Sequence, residues 1–304
     1  MMNEMNFVFV VLHYCAPEMT AECIDSIRKR IIYGSYRIVI VDNASPDDSG
    51  IALQERYSGC ADIHVLLNKT NEGFARGNNA GYRYAVENLH PDFLIAINND
   101  VLMLQPDFLQ RIESIYYERN FHVLGPDILN PDGERRNPHR IRNFTKKDLH
   151  RIVRNRTMIL LYLRMKRLLH LENRIHFVED WDFRRGENER SGIERDRPQE
   201  DVVLQGSCLI FSPDFLKKEK EAFCPDTFLW LEEEILSYQC QQKGYRILYH
   251  PSIRVLHQEE VSTKSSSDSA LKKYEFFSVQ LRHSAKVMLR VMGEEGRANG
   301  GAAP

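Results

Sequence analysis

Three segments in the first third of the chain contain polar residues that could bind a metal or a nucleotide. Two of them directly follow apolar runs. Asp42 follows the apolar run 38–41, and the triplet Asn98-Asn99-Asp100 follows the run 93–97. Residues 71–81 form a glycine- and amide-rich turn. Polar residues that follow buried strands of an open α/β sheet meet at its carboxyl edge, where such sheets bind ligands. The three segments therefore predict one shared pocket.

The residue types in this pocket indicate phosphate and metal chemistry. Asp100 is a hard oxygen ligand that suits Mg²⁺ or Mn²⁺, which proteins hold with one or two carboxylates and the phosphates of the substrate. Arg76 and Asn78 supply donors at a predicted helix entry, where Gly73 permits tight backbone geometry. Neither GxxxxGK[ST] nor GxGxxG occurs at this turn, which argues against P-loop and nicotinamide chemistry.

Three further polar positions have two interpretations each, and the sequence leaves both open. Asp42 could accept a hydrogen bond from a base or a ribose, or it could cap the turn together with Ser45. The run Glu232-Glu233-Glu234 could stabilise a helix start through the macrodipole, or the apolar Trp230 beside it could raise a carboxyl pKa toward that of a general base. His257 could bind a metal or be an ordinary surface histidine.

The hydrophobic pattern predicts an α/β fold with a parallel sheet. Apolar runs at 7–14, 36–42, 62–67 and 92–98 alternate with helical periodicity at 18–30, 48–58, 75–88 and 106–119. Further along, residues 202–211, 245–250 and 253–257 predict strands, a helix begins near Glu232, and the Gly- and Ala-rich tail after Gly293 predicts disorder.

Composition excludes several classes of protein. The chain has 304 residues, 42% hydrophobic and 28% charged, with a net charge of −2, so nothing pulls it toward nucleic acid. Its six cysteines form no CxxC pair, which argues against a zinc site or a disulfide framework. The N-terminus lacks a basic n-region, and no apolar run approaches the roughly 20 residues that span a bilayer. These features predict a protein of the reducing cytoplasm.

Residues 135–174 are strongly basic, with Asp148 and Glu172 as the acidic residues and an apolar run at 158–163 in the middle. A helix of this composition could lie on the anionic inner face of the plasma membrane, close to a lipid-linked acceptor. It could equally be a basic surface helix packed on the rest of the protein or on a dimer partner. The charge-dense stretch 179–201 that follows predicts a mobile loop.

Taken in order, these segments resemble glycosyltransferase family two, in particular the bacterial rhamnosyltransferase-like and capsule or O-antigen enzymes. The resemblance covers roughly residues 6–130 and 202–260, and it implies a GT-A fold, which is a Rossmann-like nucleotide-binding sheet with flanking helices. It divides the chain into a nucleotide-sugar-binding half (1–130), a basic helical insertion (131–201), an acceptor and catalytic-base half (202–260), and a C-terminal helix with a flexible tail (261–304).

The resemblance also implies roles for single residues. Asp100 would hold the divalent metal, with His257 as a further ligand, and Asn98 stands where the family often has a first Asp. Glu233 falls at the position of the catalytic base, with Glu232 as the alternative. The nucleotide-sugar site would comprise Asp42, Asn43, Ser45, Gly73, Arg76, Asn78, Asn98, Asn99 and Gly206.

The activity that the resemblance implies is inverting, metal-dependent transfer of one hexosyl or deoxyhexosyl group. The donor would be a UDP-, dTDP- or GDP-linked sugar, and the acceptor a hydroxyl of a glycan or a lipid-linked saccharide in cell-surface polysaccharide synthesis. The QxxRW motif of processive members is absent, which favours a single addition. A nucleotidyltransferase and a non-catalytic sugar-nucleotide-binding relative are the alternatives.

Overall fold

A computed structural model describes the α/β architecture of residues 5–32, 34–169, 193–258 and 267–298. Within the last helix, the surroundings of the side chains are defined for residues 271–293. The strands of the described part are β1 Asn6–His13, β2 Ser35–Asp42, β3 Ile63–Leu67, β4 Phe93–Asn98, β5 Val101–Met103, β6 Val123–Leu129, β7 Gln199–Glu200, β8 Cys208–Phe211 and β9 Ile247–His257.

Eight helices flank the sheet over the same described ranges. They are α1 Pro17–Arg30, α2 Ser49–Arg56, α3 Gly73–Asn88, α4 Phe108–Arg119, α5 Lys146–Leu168, α6 Pro213–Leu216, α7 Glu232–Gln242 and α8 Ser267–Ala298. The alternation of strands and helices up to α4 confirms the pattern predicted from the apolar runs.

All the strands belong to one sheet, in the order β3-β2-β1-β4-β8-β6-β9-β5, with β7 paired to β9. The first four strands are parallel to one another, and β8 joins β4 to β6 in antiparallel pairing. Because β4 and β8 pair directly, the segments 1–130 and 202–260 contribute to a single continuous sheet.

The central strands β1, β4, β6 and β8 are buried on both faces, which explains their continuous apolar sequences. Along β1, Phe7 and Phe9 pack into the core on the side of α1 and α4, while Val8 and Val10 pack on the side of α3. Each side chain of this strand therefore has an apolar layer above or below it.

The structure corrects three details of the predicted elements. Residues 202–207 are a loop, and only Cys208–Phe211 form a strand, because the backbone of the loop bonds to side chains from elsewhere in the fold. The two short strands predicted at 245–250 and 253–257 are one strand, β9, whose register against β6 shifts between Pro126 and Asp127. Helix α8 continues past Gly293 to Ala298, where the sequence predicts disorder, and the remaining residues lie outside the described ranges.

Helix α5 begins with a capping box in which the Thr145 hydroxyl accepts from the Asp148 backbone N–H. The helix then packs along α8, and Leu149 lies with Ile235 and Met288 in an apolar cluster between α5, α7 and α8. The basic insertion is thus helical over 146–168, as predicted. Most of the predicted mobile loop, from 179 to 192, lies outside the described residues.

Asn79 joins α3 to the chain segment that precedes α7. Its side chain is fully buried, its Nδ2 donates to the carbonyl of Phe223 at 2.8 Å, and its Oδ1 accepts from the backbone N–H groups of Ala222 and Phe223 at 3.1 and 3.0 Å. One amide therefore satisfies three buried backbone groups from a segment more than a hundred residues away.

We expect Asn79→Ala to lower the free energy of unfolding by about 2–4 kcal/mol, because it leaves buried backbone groups of residues 222 and 223 without partners. Urea unfolding measured by circular dichroism checks this. Asn88→Ala is the matched control, since that exposed amide of the same helix donates to the carbonyl of Tyr84 within its own helix. Equal effects of the two substitutions would contradict the prediction.

Candidate active site

The carboxyl ends of β1, β2 and β4 lie side by side and bring the predicted polar segments together. His13 at the end of β1 aligns with Asp42 of β2, and Leu12 aligns with Asn98 of β4. The backbone N–H of Asn98 donates to the carbonyl of Ser207 at 2.9 Å, which places the loop 202–207 beside the end of β4. The shared edge predicted from the sequence is therefore present.

Asn99 and Asp100 form the tight turn that connects β4 to β5. The turn is held against β9, because Val101 pairs with His257 and the Asp100 carbonyl accepts from the backbone N–H of Gln258 at 2.9 Å. The side chains meet as well: Asp100 Oδ2 lies 3.1 Å from His257 Nε2. The two residues predicted as metal ligands are thus neighbours, although they are far apart in the sequence.

This pair fits a divalent cation in its donor chemistry. Two donors bound side by side to Mg²⁺ or Mn²⁺ at about 2.1 Å in an octahedron are separated by roughly 3 Å, close to the observed spacing. Asp100 Oδ1 is buried and has no hydrogen-bond partner in the described part of the chain. Within the described residues of the chain, no group of three or more His, Cys, Asp or Glu side chains is arranged to hold a metal. The remaining ligands would have to come from a substrate and water.

Asp42 and Asn43 bond within the protein at the neighbouring strand end. The Ser45 hydroxyl donates to Asp42 Oδ1 at 2.6 Å, so the turn-capping interpretation of this pair is realised. The Asn43 amide is buried; its Nδ2 donates to Asn71 Oδ1 and to the carbonyl of Gly73, both at 3.0 Å. Asn43 therefore fixes the shape of the amide-rich turn from beneath.

The amide-rich turn itself contacts residues 223–228 of the second half of the chain. Gly73 has φ +74°, and a Cβ there would lie 2.2 Å from the carbonyl oxygen of Phe228, so the close approach requires glycine. Arg76 Nε donates to the carbonyl of Pro225 at 2.6 Å. Asn78 is buried, and its amide donates to the carbonyl of Phe74 in the preceding helical turn. In this structure Arg76 and the close approach at Gly73 join the two halves of the site, whereas Asn78 bonds within α3.

The Glu233 carboxylate contacts the loop 202–207 beside the sheet edge, at Gly206. The Gly206 backbone N–H donates to Glu233 Oε1 at 3.0 Å, and a Cβ at position 206 would lie 2.4 Å from the same oxygen. Gly206 precedes Ser207, which bonds to Asn98. The carboxylate predicted as the catalytic base is thereby connected, through one short loop, to the triplet that contains Asp100.

The three consecutive glutamates have different surroundings. Glu233 is half-buried, whereas Glu232 and Glu234 are 2% and 4% exposed. Burial, with a further contribution from the charge of Glu233, raises the pKa of Glu232 to about 8. Burial also raises the pKa of Glu233 and of Glu234, although Arg140, whose Nε lies 3.4 Å from Glu234 Oε1, partly opposes the shift at Glu234. Of the three residues, Glu233 is the least buried.

The turn before α7 is strained. Trp230 and Leu231 both have a left-handed backbone, with φ of 70° and 68°, which costs a non-glycine residue roughly 1–3 kcal/mol. Helix α8 holds this turn: the Ser284 hydroxyl donates to the carbonyl of Leu229 at 2.9 Å, and the Trp230 and Phe277 rings lie 4.7 Å apart in an edge-to-face contact. The strain fixes the direction in which Glu232 and Glu233 leave the turn.

Sequence reasoning missed two buried polar residues that position the site. The Asn137 side chain donates to the Pro126 carbonyl at 2.6 Å and accepts from the Gln205 N–H at 3.0 Å, so it fixes the loop that contains Gly206. His13 lies 2.7 Å from the Thr20 hydroxyl, which in turn accepts from the Asn99 amide at 3.0 Å. A histidine at the end of an apolar strand was a signal for His13; nothing in the local sequence singles out Asn137.

Comparison with known proteins identifies the family of this chain. The model of the family "Glycosyl transferase family 2" matches residues 8–182, which is more than half of the chain. A curated relative, the low-salt glycan biosynthesis hexosyltransferase Agl10 of Haloferax volcanii, is 28% identical over 102 residues. That match covers 34% of this chain and 31% of the relative, so the chain spans about a third of the length of that protein.

Two solved structures share the fold at low sequence identity. GalNAc-T7 with UDP, GalNAc and Mn²⁺ has a TM-score of 0.55 at 16% identity, over 88% of this chain and 46% of that one. S. aureus TarS 1-349 in complex with UDP has a TM-score of 0.51 at 14% identity, over 90% of this chain and 65% of that one. The expected GT-A fold is confirmed, and the chain belongs to glycosyl transferase family 2.

We expect Glu232→Gln to stabilise the protein at alkaline pH. The folded-state pKa of about 8 lies above the ordinary value of 4.5, so the folded state binds more protons than the unfolded state between these values. Stability from this group is present at acid pH and is lost as the pH rises toward 8, whereas a glutamine does not titrate. The free energy of unfolding should exceed that of the wild type by roughly 1–3 kcal/mol at pH 8.5.

Chemical unfolding at pH 5 and at pH 8.5 measures this difference. At pH 5 the gain should be smaller, because the wild-type carboxyl is then protonated in the folded state. Glu118→Gln serves as the control, since that carboxylate is exposed and pairs with its neighbour Arg119. A stability difference for Glu232→Gln that is the same at both pH values would contradict the assigned shift.

Proposed function

We propose that this protein is an inverting, metal-dependent glycosyltransferase that moves one sugar from a nucleotide sugar to an acceptor hydroxyl. The observation that supports this most directly is the contact of Glu233 with Gly206, beside the edge at which Asp100 meets His257. A general base and a pair of metal ligands then lie on either side of one short loop. Release of nucleoside diphosphate from nucleotide sugars tests the activity.

The donor is a UDP-, dTDP- or GDP-linked sugar bound at the carboxyl edge of β1, β2 and β4. Asp42 and Ser45 lie at the end where the base would bind, and the turn 71–81 closes the site on the side of residues 223–228. The presence of UDP in the similar solved structures supports a nucleotide donor, with UDP as the first to test.

Asp100 and His257 would hold Mg²⁺ or Mn²⁺, and an imidazole in the donor set suits Mn²⁺ better than Mg²⁺. The bound ion would supply positive charge against the diphosphate as the leaving group gains negative charge. Asn98 and Asn99 position the turn: the backbone of Asn98 bonds to Ser207, and the Asn99 amide bonds to Thr20.

Glu233 is the proposed general base. An acceptor hydroxyl has a pKa far above 7, so a carboxylate must take its proton as the bond to the anomeric carbon forms. The burial that raises the pKa of Glu233 makes it a stronger base. One base opposite the leaving group gives inversion at the anomeric carbon, and no second carboxylate of the hydrolase type is needed.

The acceptor is a glycan or a lipid-linked saccharide of a cell-surface polysaccharide, and the protein acts in the cytoplasm at the inner face of the membrane. The basic composition of 135–174 supports this location. No helix in the described ranges is long and apolar enough to cross a bilayer.

We expect Asp100→Asn to abolish most of the turnover and to weaken Mn²⁺ binding, because the amide cannot supply the negative charge of the carboxylate. The electron paramagnetic resonance signal of free Mn²⁺ measures binding, with the nucleotide present. The surface variant Asp132→Asn should behave as the wild type. Full turnover of the wild type in excess chelator, after any bound metal has been removed, would contradict metal dependence.

We expect Glu233→Gln to keep the fold and donor binding but to lower kcat by roughly 10²- to 10⁴-fold, the range for a lost general base. The amide retains a carbonyl oxygen for the Gly206 N–H but cannot accept the acceptor proton. Steady-state rates with a nucleotide sugar and an acceptor measure this, and calorimetric titration of the nucleotide checks that binding persists.

The neighbouring variant Glu232→Gln is the control for this assignment, and its turnover should stay close to that of the wild type. If Glu232→Gln is the damaging change and Glu233→Gln is benign, then Glu232 is the base. A wild-type protein that binds nucleotide sugars without releasing nucleoside diphosphate would instead be the non-catalytic relative. The family assignment disfavours the nucleotidyltransferase alternative.

A further inference from the structure

The C-terminal half of α5 has an apolar face that is open to solvent. Its members recur at intervals of three, four and one residues, which places them on one side of the helix. Each is between 44% and 72% exposed. They are Met158, Leu161, Tyr162, Met165, Leu168 and Leu169, and we call this set the α5 stripe. It extends over about 16 Å along the helix at 1.5 Å per residue.

Basic residues border the α5 stripe, and acidic ones are absent from residues 149–169. Arg154, Arg164 and Arg167 are exposed, and Arg167 forms an ion pair with Glu275 of α8 at 2.6 Å. The Lys166 ammonium lies 5.1 Å from the ring centre of Tyr162, at the margin of the stripe. A helix with apolar side chains on one face and cationic ones along its border is typical of segments that lie in a membrane interface.

The opposite face of α5 is already packed against the protein. Leu149 is fully buried, and Leu163 is 9% exposed. Arg156 is buried too, and its guanidinium lies 4.6 Å from the ring centre of Phe277 on α8. Because these contacts fix the rotation of the helix, the α5 stripe points away from the part of the fold that the structure describes.

We propose that the α5 stripe docks in the interface of an anionic lipid bilayer, with the helix parallel to the membrane plane. A second copy of this chain is a poorer occupant, since a symmetric contact would bring the same cationic border against itself. A lipid surface offers acyl chains to the stripe and negative headgroups to Arg154, Arg164 and Lys166.

Side-chain contacts connect helix α5, which carries the α5 stripe, to the turn that precedes the proposed base. Phe277, which covers Arg156, also contacts Trp230, and Trp230 stands two residues before the first residue of α7. The helix pair α5 and α8 would thus hold the site close to the membrane. This step rests on the proposed function, and it selects lipid-linked saccharides as the acceptor class over soluble glycans.

Co-sedimentation of the full chain with vesicles tests the docking and needs no turnover. Vesicles of phosphatidylcholine alone are compared with vesicles that also contain phosphatidylglycerol, at low and at high salt. We expect binding to the anionic vesicles that weakens as the salt concentration rises. Absence of binding to anionic vesicles at low salt would overturn the proposal.

Two sets of variants separate the apolar and the electrostatic contributions. Leu161→Gln with Met165→Gln keeps good helix formers and should reduce vesicle binding by about 100-fold or more. Arg154→Gln with Arg164→Gln and Lys166→Gln should reduce it by roughly 100-fold on anionic vesicles and remove the salt dependence. The matched control for the apolar variant is the double variant Ile32→Gln with Tyr117→Gln, which alters exposed apolar residues elsewhere. The matched control for the basic variant is Lys217→Gln with Lys220→Gln, which alters exposed lysines elsewhere. Both controls should bind vesicles as the wild type does.

Two measurements on the same variants give the opposing outcomes, and a third separates docking from catalysis. If residues 170–192 of the chain cover the stripe, Leu161→Gln with Met165→Gln will lower the melting temperature without changing vesicle binding. If a second copy covers it, the same variant will convert a dimer to a monomer in sedimentation equilibrium. Either result overturns the proposal. Release of nucleoside diphosphate in the absence of lipid should be unchanged, so a failure of the proposed catalysis is distinguishable from a failure of docking.

Discussion

The hydrogen bond from the Gly206 backbone to Glu233 is the contact on which the arrangement of the site depends. Its 3.0 Å length leaves no space for a side chain at position 206, because a Cβ would lie 2.4 Å from the carboxylate oxygen. The bond attaches the start of α7 to the loop before β8, and that loop is attached to β4 through Asn98. This bond therefore connects the acidic helix start to the loop beside the end of β4.

A second constraint is the way in which the protein distributes three adjacent carboxylates. Successive residues of a helix differ by about 100° in direction, so the three side chains leave α7 on different sides. Glu234 turns toward Arg140 of the segment before α5, Glu232 is enclosed, and Glu233 points at the loop. Burial raises the pKa of all three carboxyls, and the charge of Glu233 adds to the shift at Glu232 and at Glu234. Glu233 is the least buried residue of the three.

Much of the sheet and part of the site could be predicted from the sequence, for local reasons. Buried parallel strands produce unbroken apolar runs, and their polar ends mark the edge where Asp42 and Asp100 lie. The loop 202–207 resembles a strand in sequence because its apolar residues, such as Val203 and Leu204, are buried. It forms one isolated β-bridge, between Val203 and Arg140, and no longer ladder. Asn79 and Asn137 act through contacts with distant segments, which no local pattern reports.

The strained turn before α7 connects the long helix α8 to the candidate site. Two consecutive left-handed residues would relax if nothing opposed them, and the backbone of Leu229 and the ring of Trp230 are both held by α8. Helix α8 is in turn packed along α5, which places the basic helix two contacts away from Glu233. A force applied to α5 by a bound surface would therefore act on the turn before Glu233, whereas Asp100 and His257 lie on the β4–β5 turn and on β9.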